Sequence, residues 1–179
     1  MVILRESVGS TWLFMIVTCF TLIFAGFLVM ALNYSKTYKL KNELSSIIEK
    51  YEGLTTTDKS GREITGSINI MNTYLRNSNY EGSGNCYQDP NVYNMSNTKT
   101  VSYGLYVDSE KIEVAQEDVK YDYCVLQITN QSNCTTLFRV TVFYEFNLPV
   151  FGRLTNFRIS GQTNEVTNAF INDTMVKCN

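Results

Sequence analysis

Residues Trp12–Leu32 read WLFMIVTCFTLIFAGFLVMAL and decide the fold, together with their continuation to Tyr51. The run carries no charge, and its roughly 21 residues at about 1.5 Å each match a hydrocarbon core of about 30 Å. Thr18, Cys19, Thr21 and Gly26 are its only weak breaks. Threonine hydroxyls can bond back to helix carbonyls and cost little there. The stretch therefore predicts a transmembrane helix. The bland alternative is a cleaved secretory signal with Val29-Met30-Ala31 as its small-residue site. The run is long for that, and only Arg5, beside Glu6, supplies charge ahead of it. Cys19 lies inside the run rather than at its end, which excludes a lipoprotein signal.

The helix is expected to continue past the membrane. Leu40, Leu44, Ile47, Ile48 and Tyr51 recur at helical spacing. Lys39, Lys41, Asn42, Glu43, Glu49 and Lys50 are placed on the opposite, solvated face. Ser10 or Thr11 is a candidate N-cap, and Gly53 a candidate C-cap glycine. The chain thus divides into a short cytoplasmic N-terminus (1–11), a membrane helix (12–32), its amphipathic continuation (33–53) and an extracytoplasmic α+β domain (54–179).

Composition narrows the chemistry. The 179 residues contain no histidine, which removes histidine bases, histidine-dependent nucleophiles and histidine metal ligands. Fifteen basic and 17 acidic residues give a net charge of −2, so nothing favours nucleic acid. With 44% apolar and 18% charged residues the chain is too apolar for disorder. No cofactor and no small-molecule substrate are indicated, and the expectation is not an enzyme.

Two rules disagree on orientation. Lys36, Lys39 and Lys41 follow the span, which by the positive-inside rule places the C-terminal part in the cytosol. Cys86, Cys124, Cys134 and Cys178 form an even set, as in a domain with two disulfides in an oxidising compartment. The cysteines are given more weight, so the N-terminus is read as cytoplasmic. Their spacing contains no C-x-x-C pair, which leaves structural zinc unsupported. Three pairings are open, and Cys124 with Cys134, bracketing a hairpin, is one of them.

Beyond the span, Leu54–Arg62 reads as a polar loop. Glu63–Arg76 reads as a second helix with Ile64, Ile68, Met71 and Tyr74-Leu75 on one side. Asn77–Asn97 reads as loop. The period then changes to two. Strands are expected at Val101–Val107, Lys111–Ala115, Val119–Thr129 (Tyr121, Tyr123, Val125 and Gln127 on one face), Leu137–Asn147 and Asn156–Val166. Pro149 should end the fourth, because it cannot donate to the ladder. The tail from Thr167 has no clear pattern. The fold class is α+β: a long N-terminal helix, half in the membrane, packed on an antiparallel sheet of four to five strands, with a short second helix. This is a pilin-like plan.

Three stretches carry a resemblance to the pilin-like proteins of the tight-adherence (Tad) pilus group, of the TadE, TadF or TadG type. Arg5–Ser10 (RESVGS) is similar to their acidic-then-Gly-Ser entry. Ile68–Cys86 (INIMNTYLRNSNYEGSGNC) is similar to their short helix, glycine-rich loop and cysteine. Val140–Gly161 (VTVFYEFNLPVFGRLTNFRISG) resembles their closing pair of strands. Cleavage after Gly9 would put Phe14, not a glutamate, at the fifth position, so the resemblance implies a minor pilin or pseudopilin rather than a major subunit. It implies a structural role in a pilus or secretion apparatus, with other pilin-like subunits and assembly-platform proteins as partners. It also favours Cys86 with Cys124, leaving Cys134 with Cys178. Glu6 is the candidate for subunit registry, through the N-terminal amine or Arg5 of a neighbour. The alternative is a membrane-anchored binding or adhesion module with an unrelated α+β ectodomain, using the Asn77–Asn97 loop.

The remaining motifs have bland readings. Glu110, Glu113, Glu117, Asp118 and Asp122 fit solvated strand faces and turns, and no EF-hand loop supports calcium. Asn33, Asn94, Asn130, Asn133 and Asn172 open N-x-Ser/Thr triplets. The twelve tyrosines suit packing or a contact patch.

Overall fold

A computed structural model describes residues 3–57, 66–86, 97–148 and 152–177, of which 3–10, 145–148 and 152–156 are described as backbone alone. Helix α1 runs unbroken from Ile3 to Tyr51. It passes through Ser10 and Thr11, so neither caps it. Arg5 to Val8 contain no strong helix breaker, and one interior glycine costs only about 1 kcal/mol. At its other end the left-handed residue is Glu52 (φ 58°), not Gly53. Gly53 instead enters strand β1 (Gly53–Leu54) with φ 141°. A Cβ there would lie 2.0 Å from the Phe170 carbonyl oxygen, so only glycine fits.

Helix α2 spans Ser67–Asn77. It starts later than expected because Gly66, in extended conformation, takes the N-cap position. Ile64 lies outside the described residues. Ser67 and Thr55 clasp each other: Thr55 N–H donates to Ser67 Oγ at 2.8 Å and Ser67 N–H donates to Thr55 Oγ1 at 3.1 Å. Ser67 Oγ also donates to the Gly53 carbonyl at 2.9 Å. The clasp closes the intervening loop and turns α2 back along α1. At the far end of α2, Lys36 Nζ reaches the Asn79 carbonyl at 3.5 Å.

Strands β2 (Gly84–Asn85), β3 (Thr98–Leu105), β4 (Glu113–Val114), β5 (Lys120–Tyr121), β6 (Tyr123–Asn130), β7 (Thr135–Leu148), β8 (Gly152–Gln162), β9 (Val166–Thr167), β10 (Phe170–Ile171) and β11 (Thr174–Met175) follow. The main sheet is antiparallel, in the order β4-β3-β6-β7-β8, with β9 also on β7. β7 ends at Leu148; Pro149 itself lies outside the described residues. The expected strand over Val119–Thr129 is broken at Asp122. Its carboxylate accepts the Val107 N–H at 2.7 Å. Tyr121 therefore packs with Cys86, Cys124 and Phe143, while Tyr123 joins the main core.

A second, small sheet gives structure to the tail. β1 pairs with β10 in parallel and β10 with β11 antiparallel. Asn172 (φ 47°) and Asp173 (φ 60°) make the two-residue turn, both left-handed as a type I′ hairpin needs. Asp173 Oδ1 accepts the Thr56 and Thr57 N–H groups, each at 3.1 Å, and Oδ2 accepts the Thr56 hydroxyl.

The core lies between α1, α2 and one face of the main sheet. Leu40, Leu44 and Ile48 bury against Tyr103, Leu105, Tyr123, Val125, Phe138, Val140 and Val142, with Ile68, Met71 and Leu75 from α2. Burying each aliphatic side chain contributes about 1.5–3 kcal/mol. Thr37 and Lys41 share that buried face. Lys41 is thus not on the solvated side. Its methylene stem crosses the open surface of Gly161, and its ammonium lies 4.2 Å from the centre of the Tyr38 ring.

Candidate functional site: the exposed helix and its junction with the domain

α1 is long and apolar enough to cross a membrane. Apart from Met30, its large apolar side chains from Trp12 to Leu32 are 43–73% exposed, which in water would be an extreme apolar surface. The break residues are accommodated as expected. Thr18 donates to the Phe14 carbonyl at 2.8 Å, and Thr21 donates to that of Val17. Cys19 is a free thiol on the exposed helix.

Just past the apolar run, Tyr34 and Tyr38 stack with ring centres 6.4 Å apart. Both are exposed, beside Lys36 and Lys39. Tyrosine and lysine at this position suit a membrane–water boundary. Tyr144 of β7 stacks on Phe157 of β8 at 5.3 Å. Burial, and then the Tyr34 phenol, raise the Tyr144 pKa above its ordinary value.

Of the four domain cysteines, Cys86 and Cys124 are joined, with Cα atoms 5.5 Å apart. This excludes a Cys124–Cys134 bridge. The geometric reason is that Cys124 points to the sheet face away from the helix, where Cys86 arrives from β2. Cys134 is also disulfide-bonded; Cys178 lies outside the described residues. Next to the Cys86–Cys124 bond is a cavity of about 220 Å³ lined by Asn85, Ser102, Arg139, Thr141, Arg158 and Ser160. Thr141 and Ser160 hydroxyls bond each other at 2.8 Å. A larger cleft of about 580 Å³ lies between β3, β6 and the C-terminal hairpin, with Lys99 and Lys177 on its rim. Its floor is a chain of bonded polar groups. Tyr103 donates to Gln127 at 3.0 Å, and Gln127 to Thr129 at 2.9 Å.

The acidic residues do not assemble. Glu110, Glu113, Glu117 and Asp118 are exposed. Asp122 is raised above the ordinary carboxylate range by burial, against the opposing hydrogen bond from Val107, and by Asp108. Asp108 itself pairs with Arg76 at 3.3 Å. Among the described residues no group of three potential metal ligands occurs, and no buried side-chain nitrogen or oxygen lacks a partner. Arg5 and Glu6 fall within α1, but their side chains lie outside the described residues. Residues 87–96, Asn94 among them, also lie outside the described residues; they are about half of the loop expected to bind partners. Asn133 and Asn172 sit on exposed turns, Asn130 ends β6, and Asn33 lies within α1.

The sequence missed Tyr80. Its hydroxyl accepts the Phe143 N–H at 3.0 Å and faces the Phe143 and Asp122 carbonyls at 2.6 and 2.8 Å. No local pattern announces this, since the partners are 42 and 63 residues away. No protein-family model, no curated protein and no solved structure matches the chain.

Proposed function

We propose that the chain is a structural subunit, a minor pilin or pseudopilin of a Tad-like apparatus, held in the membrane by α1 with its domain outside the cytoplasm. One observation carries the reading. A single unbroken helix is exposed and apolar along its first half and forms the main cover of an antiparallel sheet along its second. Such a subunit would assemble by packing Trp12–Leu32 against neighbouring copies or related subunits, exchanging lipid contacts for helix contacts. The test is location and company. The protein should appear in sheared surface fractions, and a secretion ATPase and an inner-membrane platform protein should be encoded nearby. Retention in the membrane without either would remove the pilus reading and leave the anchor.

The second reading is a membrane-anchored binding module. The cleft of about 580 Å³ favours it, because it lies at the end of the domain farthest from the apolar half of α1. Retention of a ligand by the intact protein, lost with Tyr103→Ala, would favour this reading over the first.

A further inference from the structure

The face of the main sheet turned away from α1 gathers hydrogen-bond donors. Register and alternation set two rows across it. In one, Ser102 of β3 lies opposite Leu126 of β6, then Arg139 of β7, then Gln162 of β8. The next row is Gly104, Cys124, Thr141 and Ser160. The cavity of about 220 Å³ sits over these rows. Arg158 of β8 and Asn85 of β2 also line it, and the Cys86–Cys124 bond holds the end of β2 against β6. Strand register and one covalent bond therefore fix its walls.

The lining is chemically one-sided. Two guanidiniums, three hydroxyls and an amide surround Leu126, and among the described residues that line the cavity none is acidic. In a chain of net charge −2 this runs against the average. The only acidic position in that alternation on β7 and β8, Glu145, is four residues beyond Thr141, about 13 Å along the strand. With the Gln162 amide turned so that its oxygen faces Arg139, the guanidinium donates to it from Nε at 3.2 Å and from Nη2 at 2.6 Å. Gln162 thus holds the Arg139 fork in place with two of its five donors. The Thr141 and Ser160 hydroxyls share one bond at 2.8 Å, which leaves the second hydrogen of the pair to be donated. Ser102 is the independent sign. It is 2% exposed, yet its hydroxyl has no hydrogen-bond partner among the described residues. Every side-chain oxygen sealed from solvent has a partner, so the Ser102 hydroxyl opens on the cavity it lines. A hydroxyl so placed is costly unless water or a ligand meets it.

We propose that this cavity binds a tetrahedral oxyanion, a phosphate or sulfate group. Guanidinium forks match such oxygens in charge and geometry. The donors come from β3, β7 and β8, and a tetrahedral group turns an oxygen toward each. A carboxylate has only two oxygens, in one plane. The volume lies below the roughly 300 Å³ at which pockets for drug-sized molecules begin, so it suits one such group on a small carrier. The site is on the opposite side of the sheet from α1. It depends on neither the membrane reading nor the pilus reading.

The test is a nuclear magnetic resonance titration of the full-length, isotope-labelled chain in dodecyl maltoside, a detergent without phosphate. Inorganic phosphate, sulfate, glycerol 3-phosphate and acetate are added at neutral pH, with potassium chloride holding ionic strength constant. The proposal expects saturable shifts centred on the Ser102, Thr141 and Ser160 amides for the three tetrahedral anions, and weaker binding of acetate. Tighter binding of glycerol 3-phosphate than of phosphate points to an esterified source, and the reverse to the free ion; either supports the site. Arg158→Gln should weaken binding by about tenfold or more, as loss of a charge-assisted bond does. Ser102→Ala should weaken it by about two- to tenfold with an unchanged melting point, because it removes no bond inside the domain. Parental affinity in either variant overturns the proposal. So do shifts that rise without saturating, which mean charge screening, and acetate binding as tight as phosphate. Should Arg158→Gln fail to fold, Ser102→Ala decides alone.

Discussion

The Tyr80 hydroxyl occupies the position of a missing strand beside Phe143. β6 begins at Tyr123, opposite Val142, so the next residue of β7 has no partner on that side. The phenol supplies an acceptor for the Phe143 N–H and a donor for its neighbouring carbonyls. Tyr80→Phe should lower stability by about 1–3 kcal/mol, the cost of unsatisfied backbone groups. Burial raises the Tyr80 pKa, the Phe143 hydrogen bond opposes this, and Asp122 adds to it. A raised pKa means stability is fully present below the unfolded value of about 10 and is lost as pH rises through the folded one. Alkaline unfolding followed by circular dichroism should therefore show a loss above about pH 10 that shrinks in Tyr80→Phe.

The Cys86–Cys124 bond ties the loop after α2 to the central strand β6. Cys86→Ser with Cys124→Ser should lower stability by about 2–4 kcal/mol by freeing the unfolded chain. Mass spectrometry of unreduced peptides should recover this pair and a second joining Cys134 to Cys178. A Cys124–Cys134 peptide would contradict the fold.

Gly53 and Gly161 both face close neighbours but should respond differently. Gly53 holds φ 141° against the Phe170 backbone, which cannot retreat without breaking β1 from β10. At Gly161 the neighbour is the Lys41 stem, 2.2 Å from an added Cβ, which can swing away. Thermal melts should show Gly53→Ala as the costlier change, by more than about 1 kcal/mol.

Asp173 should make the tail acid-sensitive. Partial burial raises its pKa, but the Thr56 and Thr57 hydrogen bonds outweigh this and hold it below the usual carboxylate value. A lowered pKa stabilises above the unfolded value of about 3.9 and is lost as pH falls through the folded one. Hydrogen exchange at Asn172 and Thr174 should accelerate in that acid range, and Asp173→Asn should flatten the dependence.

Glu6 is the sequence candidate for subunit registry, and its replacement tests the assembly reading. Glu6→Ala should reduce the protein recovered in sheared surface fractions without changing its melting point. Unchanged recovery would remove Glu6 from subunit registry.

The sequence was legible where burial follows a period. Leu40, Leu44 and Ile48 on α1 and Val140 and Val142 on β7 declare their faces, and the structure buries them together. It was not legible where polar residues do apolar work. Thr37 and Lys41 break the stripe by name but continue it by methyl and methylene groups. Asp122 ends one strand early by capturing a distant N–H, which alternation cannot foretell. The parallel β1–β10 pair has two residues per strand, too few for any period. Its Asn172-Asp173 turn went unread in a tail without a clear pattern, although both residue types tolerate left-handed backbone. The exposed Tyr34–Tyr38 pair was visible in sequence only as two tyrosines among three lysines.

The pairing of β1 with β10 has a mechanical meaning. One residue separates α1 from β1, and the carbonyls of Glu52 and Leu54 accept N–H groups from Phe170 and Asn172 at 2.8 and 2.9 Å. Tension drawn along α1, by a filament or a moving membrane, leaves the helix at Tyr51 and enters the C-terminal hairpin directly. The end of α1 and the C-terminal hairpin would resist extension as one unit, with the β-hydrogen bonds sheared together rather than opened one at a time.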